Sequence, residues 1–302
     1  MFNRFAATFL SCAALALCFT AAAQAEATRT FVATTGSDSN NCSATAPCRS
    51  FQAAIALTAP GGEIIVLNSG GYGPVVINQA ITISAVGIAA SITQATMSQN
   101  AITVSTTGDV YITGLSLHGG GMGCDGVIVN QAGFLSLVNV TADDFMHNGV
   151  EVIGTANVSI EGGSFNKNVL NGLWVEGTQN VYVHNSTFNF NNNGVLNTSG
   201  FVTIADSSAN YNSAGGFVAG YAPTPSSGGT LELIRDQASF NNAGVIAPTA
   251  TSVVRMSYSV LTKNTSDAFQ ALSGGTITGT NPGTNVIEGA TIGSLGAASG
   301  LQ

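Results

Sequence analysis

Gly149-Val150-Glu151-Val152, Val158-Ser159-Ile160, Phe165-Asn166-Lys167-Asn168 and Gly172-Leu173-Trp174 follow one another within a single short stretch of the chain. Each apolar-x-apolar run is too brief for a helix and reads as a strand that sends alternate side chains inward. The pattern then starts again, because Gly172 repeats Gly149 at a distance of 23 residues. Working outward, the same glycine-apolar pair recurs at Gly126-Val127, Gly194-Val195, Gly216-Phe217 and Gly244-Val245, in steps of 23, 23, 22, 22 and 28 residues. The long step contains an insertion, 221–229. The companion triplet recurs as Val110-Tyr111-Ile112, Leu135-Ser136-Leu137, Val181-Tyr182-Val183, Val202-Thr203-Ile204 and Leu231-Glu232-Leu233, with a weaker copy at Val254-Arg255-Met256. A period of about 20–25 residues with several short strands and no helix predicts an all-β solenoid.

A third column follows five residues after the inner end of each triplet: Leu117, Ala142, Phe165, Phe188, Ala209, Ala238 and Leu261. Three residues later comes asparagine, at Asn168, Asn191, Asn212, Asn241 and Asn264, while Phe145 fills that slot in the preceding coil. Stacked asparagines bond to one another through their amides and tolerate left-handed turns, so this column is expected to be a structural asparagine ladder that begins after Phe145.

Composition agrees. Of 302 residues, 37 are glycine and only 7% are charged, for a formal net charge of −8. Ordinary globular domains carry about 25% charged residues, and helical bundles need them to solvate a face. A hydrophobic content of 45% argues against disorder. The acidic balance argues against nucleic acid as a partner.

The N-terminus has the form of a secretory signal over residues 1–25: Arg4, an apolar stretch Phe5 to Ala23, and an Ala23-Gln24-Ala25 cleavage pattern. No other stretch is long and apolar enough for a membrane span. The expected location is therefore secreted or periplasmic. There, Cys42 and Cys48 are expected to form a disulfide inside an N-terminal cap, residues 26–60. Residues 61–288 are expected to be the solenoid, and 289–302 a flexible tail. Cys124 is left unpaired.

Arg49-Ser50-Phe51-Gln52-Ala53-Ala54-Ile55, then Ala59-Pro60-Gly61-Gly62, then Gly70-Gly71-Tyr72-Gly73 and Ala80-Ile81-Thr82-Ile83 lay out a short helix, a Pro-Gly turn, strands and a Gly-x-Tyr turn. With the repeat columns, this order resembles the pectin-lyase-like superfamily. The resemblance implies a right-handed parallel β-helix of about 9–10 coils, some 45 Å long at about 4.8 Å per coil, with a short N-terminal capping helix. It also implies that chemistry sits in a groove on the outer face of the stacked strands. The motifs of the best-known activities are missing. Polygalacturonase-like Gly-His-Gly and Arg-Ile-Lys are absent, and Gly119-Gly120-Gly121 stands where an Asn-Thr-Asp is expected. The pectate lyase Arg-x-Pro-x-x-Arg is absent. Gly71-Tyr72 continues as Gly73-Pro74-Val75, without the glutamate of pectin methylesterases.

Two candidate sites follow. Asp143, Asp144, His147 and Glu151, one coil before Lys167 and Trp174, offer paired carboxylates and an imidazole for acid–base work. The same oxygens are the type that Ca²⁺ selects, although the sequence implies no cofactor. His118 and His184 show no acidic or cysteine neighbour at ligand spacing along the chain and are expected at turns or on the surface. The second candidate is an outward column in the strand after each glycine: Ile128, Glu151, Trp174, Leu196, Val218 and Ile246. Such an apolar stripe implies cover by the 221–229 insertion, a second subunit, or a binding surface, with Trp174 and Lys167 as ligand contacts. Taken together, these features predict a non-catalytic extracellular glycan-binding or adhesion module. The alternative is a polysaccharide lyase, hydrolase or epimerase.

Overall fold

The computed structural model describes residues 26–177, 180–221, 228–279 and 284–297; the expected signal segment lies outside these. Every ladder between named strands is parallel, and interior strands such as Asn171–Val175 pair with the strand one coil before and the strand one coil after. The chain winds through three stacked sheets per coil. Sheet one holds the strands entered at the repeated glycines, such as Asn171–Val175, Asn193–Asn197 and Ala243–Ala247. Sheet two holds the apolar triplets, such as Asn180–His184, Phe201–Ala205 and Thr230–Ile234. Sheet three is narrow, for example Thr141–Asp143 and Ser164–Asn166, and shrinks to single bridges at Thr187 and Ser208. The result is an all-β parallel solenoid of about ten coils, with almost no helix.

The inward columns are those the repeat pattern predicts. Val150, Leu173, Val195, Phe217 and Val245 are fully buried along sheet one. Leu117, Ala142, Phe165, Phe188, Ala209, Ala238 and Leu261 are buried along sheet three. Phe165 and Phe188 stack at 5.6 Å. A single coil has no second layer to bury these faces against; stacking supplies it.

The glycine column has a steric cause. A Cβ on Gly172 would lie 2.7 Å from the Gly194 carbonyl oxygen and 2.9 Å from Phe188 Cδ1. Gly149, Gly194 and Gly216 meet the next coil in the same way, at 2.5–2.7 Å from a backbone carbonyl. Gly172→Ala is expected to lower stability by about 2–3 kcal/mol, because the obstruction is backbone and cannot rotate away. Gly71→Ala, whose new methyl would stand 3.7 Å from Ser91 Oγ, is the control and should move the urea midpoint little.

The asparagine ladder forms with the cross-coil amide bonds expected of it, but the left-handed turn does not fall on the asparagines themselves. The left-handed backbone falls one residue earlier, at Asp144, Lys167, Phe190, Tyr211, Phe240 and Lys263, all with φ near +60°. The asparagines bridge coils instead. Asn168 donates its backbone N–H to Asn191 Oδ1 at 2.8 Å, and Asn191 Nδ2 donates to the Phe165 carbonyl at 3.0 Å. The same pair of bonds repeats through Asn212, Asn241 and Asn264. As expected from Phe145, the ladder starts there, with Phe145 N–H donating to Asn168 Oδ1. A second ladder, absent from the sequence reading, runs through Ser186, Ser207, Asp236, Ser259 and Asn285 at the turn between sheets two and three.

At the N-terminus the Cys42–Cys48 disulfide forms. Asp38 accepts from the Arg49 and Ser50 N–H groups, and Ser50 Oγ caps the helix Phe51–Ile55. Strand Ala27–Val32 lies on Thr58–Val66, so the cap is continuous with sheet two. At the other end the solenoid does not stop at residue 288. Ala290–Ile292 and Leu295–Ala297 pair with Asp267–Ala271 and Thr276–Gly279, adding part of a coil where a flexible tail was expected. The backbone ladder continues there although few apolar side chains remain to be buried.

Candidate functional site

The outward column of sheet one is in the predicted register: Ile128, Glu151, Trp174, Leu196, Val218 and Ile246 are successive cross-strand partners. Its middle is covered, with Leu196 and Val218 each 6% exposed. Trp174 is half-buried and lines an open groove of about 740 Å³ with Leu170, Asn171, Glu176, Asn192, Asn193, Leu196, Thr198, Ser199 and Tyr221. Tyr221 begins the insertion; residues 222–227 of it lie outside the described residues. The stripe is therefore both covered and a groove, at different heights. Among the described residues, Trp174 Nε1 has no hydrogen-bond acceptor. Lys167 is exposed at a left-handed turn and does not line the groove.

The four candidate acid–base residues do not converge. Asp143 ends a sheet-three strand, where its Oδ1 lies 2.6 Å from His118 Nδ1 of the preceding coil. Asp144 is exposed at a left-handed turn. His147 and Glu151 instead join Cys124, left without a partner by the sequence, and Asp125, which no sequence motif singles out. Cys124 Sγ is 3.0 Å from His147 Nδ1 and 3.1 Å from Asp125 Oδ2. Asp125 is 1% exposed, and its Oδ1 accepts both the Asn148 backbone N–H at 2.9 Å and Asn148 Nδ2 at 3.0 Å. Asn148 Nδ2 also donates to Glu151 Oε2 at 3.1 Å, while its Oδ1 accepts from Asn171 Nδ2 at 2.8 Å. Burial, then the neighbouring Asp125 charge, pushes the Glu151 carboxyl up to about 7. Burial and Asp125 push the Cys124 thiol up to about 12, the reverse of what a nucleophilic thiolate needs. The sequence did contain a signal. Cys124 to His147 is the same 23-residue step as Gly126 to Gly149, which places one directly beside the other.

The same cross-coil proximity corrects the reading of the histidines. His184 lies between Glu161, at 2.8 Å from Nδ1, and Asp206, at 3.2 Å from Nε2, and Asp206 is forked by Arg235. The hydrogen bond to Glu161 and the two nearby carboxylates raise its imidazolium above the usual histidine range. Two further surface features went unread. Phe190, Tyr211 and Phe240 stack face to face on successive coils at 5.1 and 4.7 Å, with Lys263 over the last ring. On sheet two, Phe134, Tyr182 and Phe201 edge a second, smaller depression.

A family model described as right handed beta helix region matches residues 125–287, more than half of the chain, and the chain belongs to that family. Among solved structures it is similar to the crystal structure of pectate lyase Pel9A. That match covers 90% of this chain and 77% of the other, with a TM-score of 0.62 and 16% identity. A rhamnogalacturonan lyase aligns over 86% of each chain with a TM-score of 0.48 and 11% identity. These are likenesses of fold. No curated protein matches the sequence.

Proposed function

We propose that the chain is an exported, non-catalytic glycan-binding module that holds a polysaccharide in the Trp174 groove. The observation that carries this reading is the lining itself. One indole and one phenol ring, Trp174 and Tyr221, stand beside the amides of Asn192 and Asn193 and the hydroxyl of Ser199, while the buried Asn171 amide is taken up by Asn148 and Asn193. Aromatic faces pack against the apolar face of a sugar ring, while amides and hydroxyls exchange hydrogen bonds with its hydroxyl groups. Among the described lining residues Glu176 is the only charged one, and none is Lys or Arg. A carboxylate repels uronates, so the reading favours a neutral glycan. The fold likeness to a pectate lyase supports a polysaccharide as the class of ligand. The apolar N-terminal segment and the Cys42–Cys48 disulfide support export.

The test is affinity electrophoresis or calorimetry on a panel of neutral and acidic polysaccharides, with product analysis on the same samples. Retention on a neutral glycan is expected, with Trp174→Ala weakening it by about thirty-fold, the size of a central aromatic anchor. Retention unchanged in Trp174→Ala would remove the groove from the reading. The alternative, a polysaccharide-active enzyme, draws on Glu176 as a carboxylate inside the groove. It requires new reducing or unsaturated ends that disappear in Glu176→Gln, or in Asp144→Ala if the turn aspartates were the active pair.

A further inference from the structure

Cys124, Asp125 and His147 present one ligand atom each within 4.8 Å of one another, and these are the donor types that zinc selects. Sγ to Nδ1 is 3.0 Å, Sγ to Oδ2 is 3.1 Å, and Nδ1 to Oδ2 is 3.9 Å. A tetrahedral zinc ion with bonds of about 2.0–2.3 Å holds its ligand atoms roughly 3.3–3.6 Å apart, so on binding the two sulfur distances would open by about 0.4–0.5 Å and the Nδ1–Oδ2 distance would close by about 0.6 Å, shifts within reach of side-chain rotation. We propose that Cys124, Asp125 and His147 form a three-ligand binding site for a zinc-like divalent ion.

Three observations favour a metal over a nucleophilic triad or a plain hydrogen-bond cluster. First, the thiol and the carboxylate approach the same ring nitrogen, Nδ1 of His147. A Cys–His–Asp catalytic relay needs them on opposite nitrogens, so that one orients the ring while the other gives up its proton. Secondly, the Asp125 carboxylate is buried and no Lys or Arg pairs with it among the described residues. A buried carboxylate is expensive without a compensating cation. Thirdly, the supporting residues are already in place. Asn148 gives Asp125 Oδ1 two N–H donors, Oδ2 faces the thiol and imidazole, the Glu151 carboxyl lies against the same carboxylate, and Asn171 fixes which way the Asn148 amide points. Such outer hydrogen bonds are what orient a metal-ligating carboxylate. The half-exposed His147 side chain leaves an approach from solvent.

The exchange balances simply: the ion displaces the Cys124 thiol proton to solvent and forms a metal–sulfur bond, with no change of oxidation state. The three ligands lie outside the Trp174 groove, and Asn171 is the one residue that both sites use, so metal binding and glycan binding are tested by separate substitutions. Calcium does not suit a thiol and an imidazole.

The experiment is a titration of the purified, chelator-treated protein with Co²⁺ and then Zn²⁺, with the Cys42–Cys48 disulfide intact. One equivalent of Co²⁺ should produce visible bands of a low-symmetry four-coordinate ion and a near-ultraviolet thiolate charge-transfer band, and Zn²⁺ should abolish both. Cys124→Ser should lose the charge-transfer band and bind at least tenfold more weakly; His147→Gln should also bind at least tenfold more weakly. Asp144→Asn should titrate as the unmodified protein does. Circular dichroism on each variant separates lost binding from lost folding, and Cys124→Ser and His147→Gln sit at partly exposed positions chosen to spare the fold. Sub-stoichiometric binding, or a charge-transfer band that survives in Cys124→Ser, would overturn the proposal.

Discussion

Asn191→Ala is expected to be among the most damaging single exchanges in the solenoid, lowering unfolding free energy by about 2–6 kcal/mol. Asn191 is 3% exposed and makes three side-chain bonds to the coil beneath it. Its Oδ1 accepts from the Asn168 backbone N–H at 2.8 Å and from Asn168 Nδ2 at 3.2 Å, and its Nδ2 donates to the Phe165 carbonyl at 3.0 Å. Alanine removes all three bonds and orphans the Asn168 N–H and the Phe165 carbonyl, while Asn168 Nδ2 keeps the Ala142 carbonyl. Each orphaned buried group costs about 1–3 kcal/mol. The neighbouring Asn192→Ala is the control, since its one cross-coil bond, to Ser213 Oγ, is exposed and should be worth less than about 0.5 kcal/mol. Urea unfolding followed by circular dichroism measures both. Equal midpoints for the two variants would mean that the ladder does not hold the coils together.

Stability should fall as pH rises from about 5 to about 8, the opposite of a protein stabilised by paired carboxylates. Asp236 is 2% exposed, and burial pushes its carboxyl from 3.8 up to about 7, outweighing the Ser207 and Ile234 N–H groups that it accepts. Between those two values the folded chain holds a proton that the unfolded chain releases, so each step upward in pH favours unfolding. The full difference corresponds to about 4 kcal/mol, an upper bound for a group in a relaxing environment. His184 acts in the same direction. Its raised imidazolium contributes stability that is complete below the unfolded histidine value and disappears as pH climbs through the folded one. Asp206 acts oppositely. Arg235 holds its carboxyl below the usual range, so its contribution is lost only in acid, as pH falls through the folded value. A stability maximum in mildly acidic solution follows. Asp236→Asn should flatten the slope between pH 5 and pH 8, because Asn285 shows that an amide fits this ladder. A wild-type midpoint that rises with pH over that interval would refute the assignment.

Much of the fold was legible because a solenoid writes its backbone into the sequence once per coil. The glycine column, the inward Val and Leu columns and the asparagine ladder each repeat at a near-constant step, and each has a local steric or hydrogen-bonding cause. The Cys42–Cys48 pair was legible because the two cysteines are only six positions apart in one loop. The end of the solenoid was misjudged because residues 290–297 continue the backbone ladder with few buried apolar side chains, leaving no hydrophobic pattern to read.

The sites were less legible. Asp143, Asp144, His147 and Glu151 are close along the chain, yet they face different parts of the coil and join separate networks. His118 and His184 lack acidic neighbours along the chain and meet them one coil away. By itself, then, the sequence determined the parallel coil, its inward columns and its outward register, since these depend on a repeated local period. Only the tertiary structure decided which side chains become partners. Pairing in a stacked solenoid is set by the neighbour about 4.8 Å above or below, together with the rotamer that each side chain adopts there. That is why Cys124, Asp125 and His147 converge, why Asp143 turns to His118, and why the Trp174 stripe is open at one height and covered at the next.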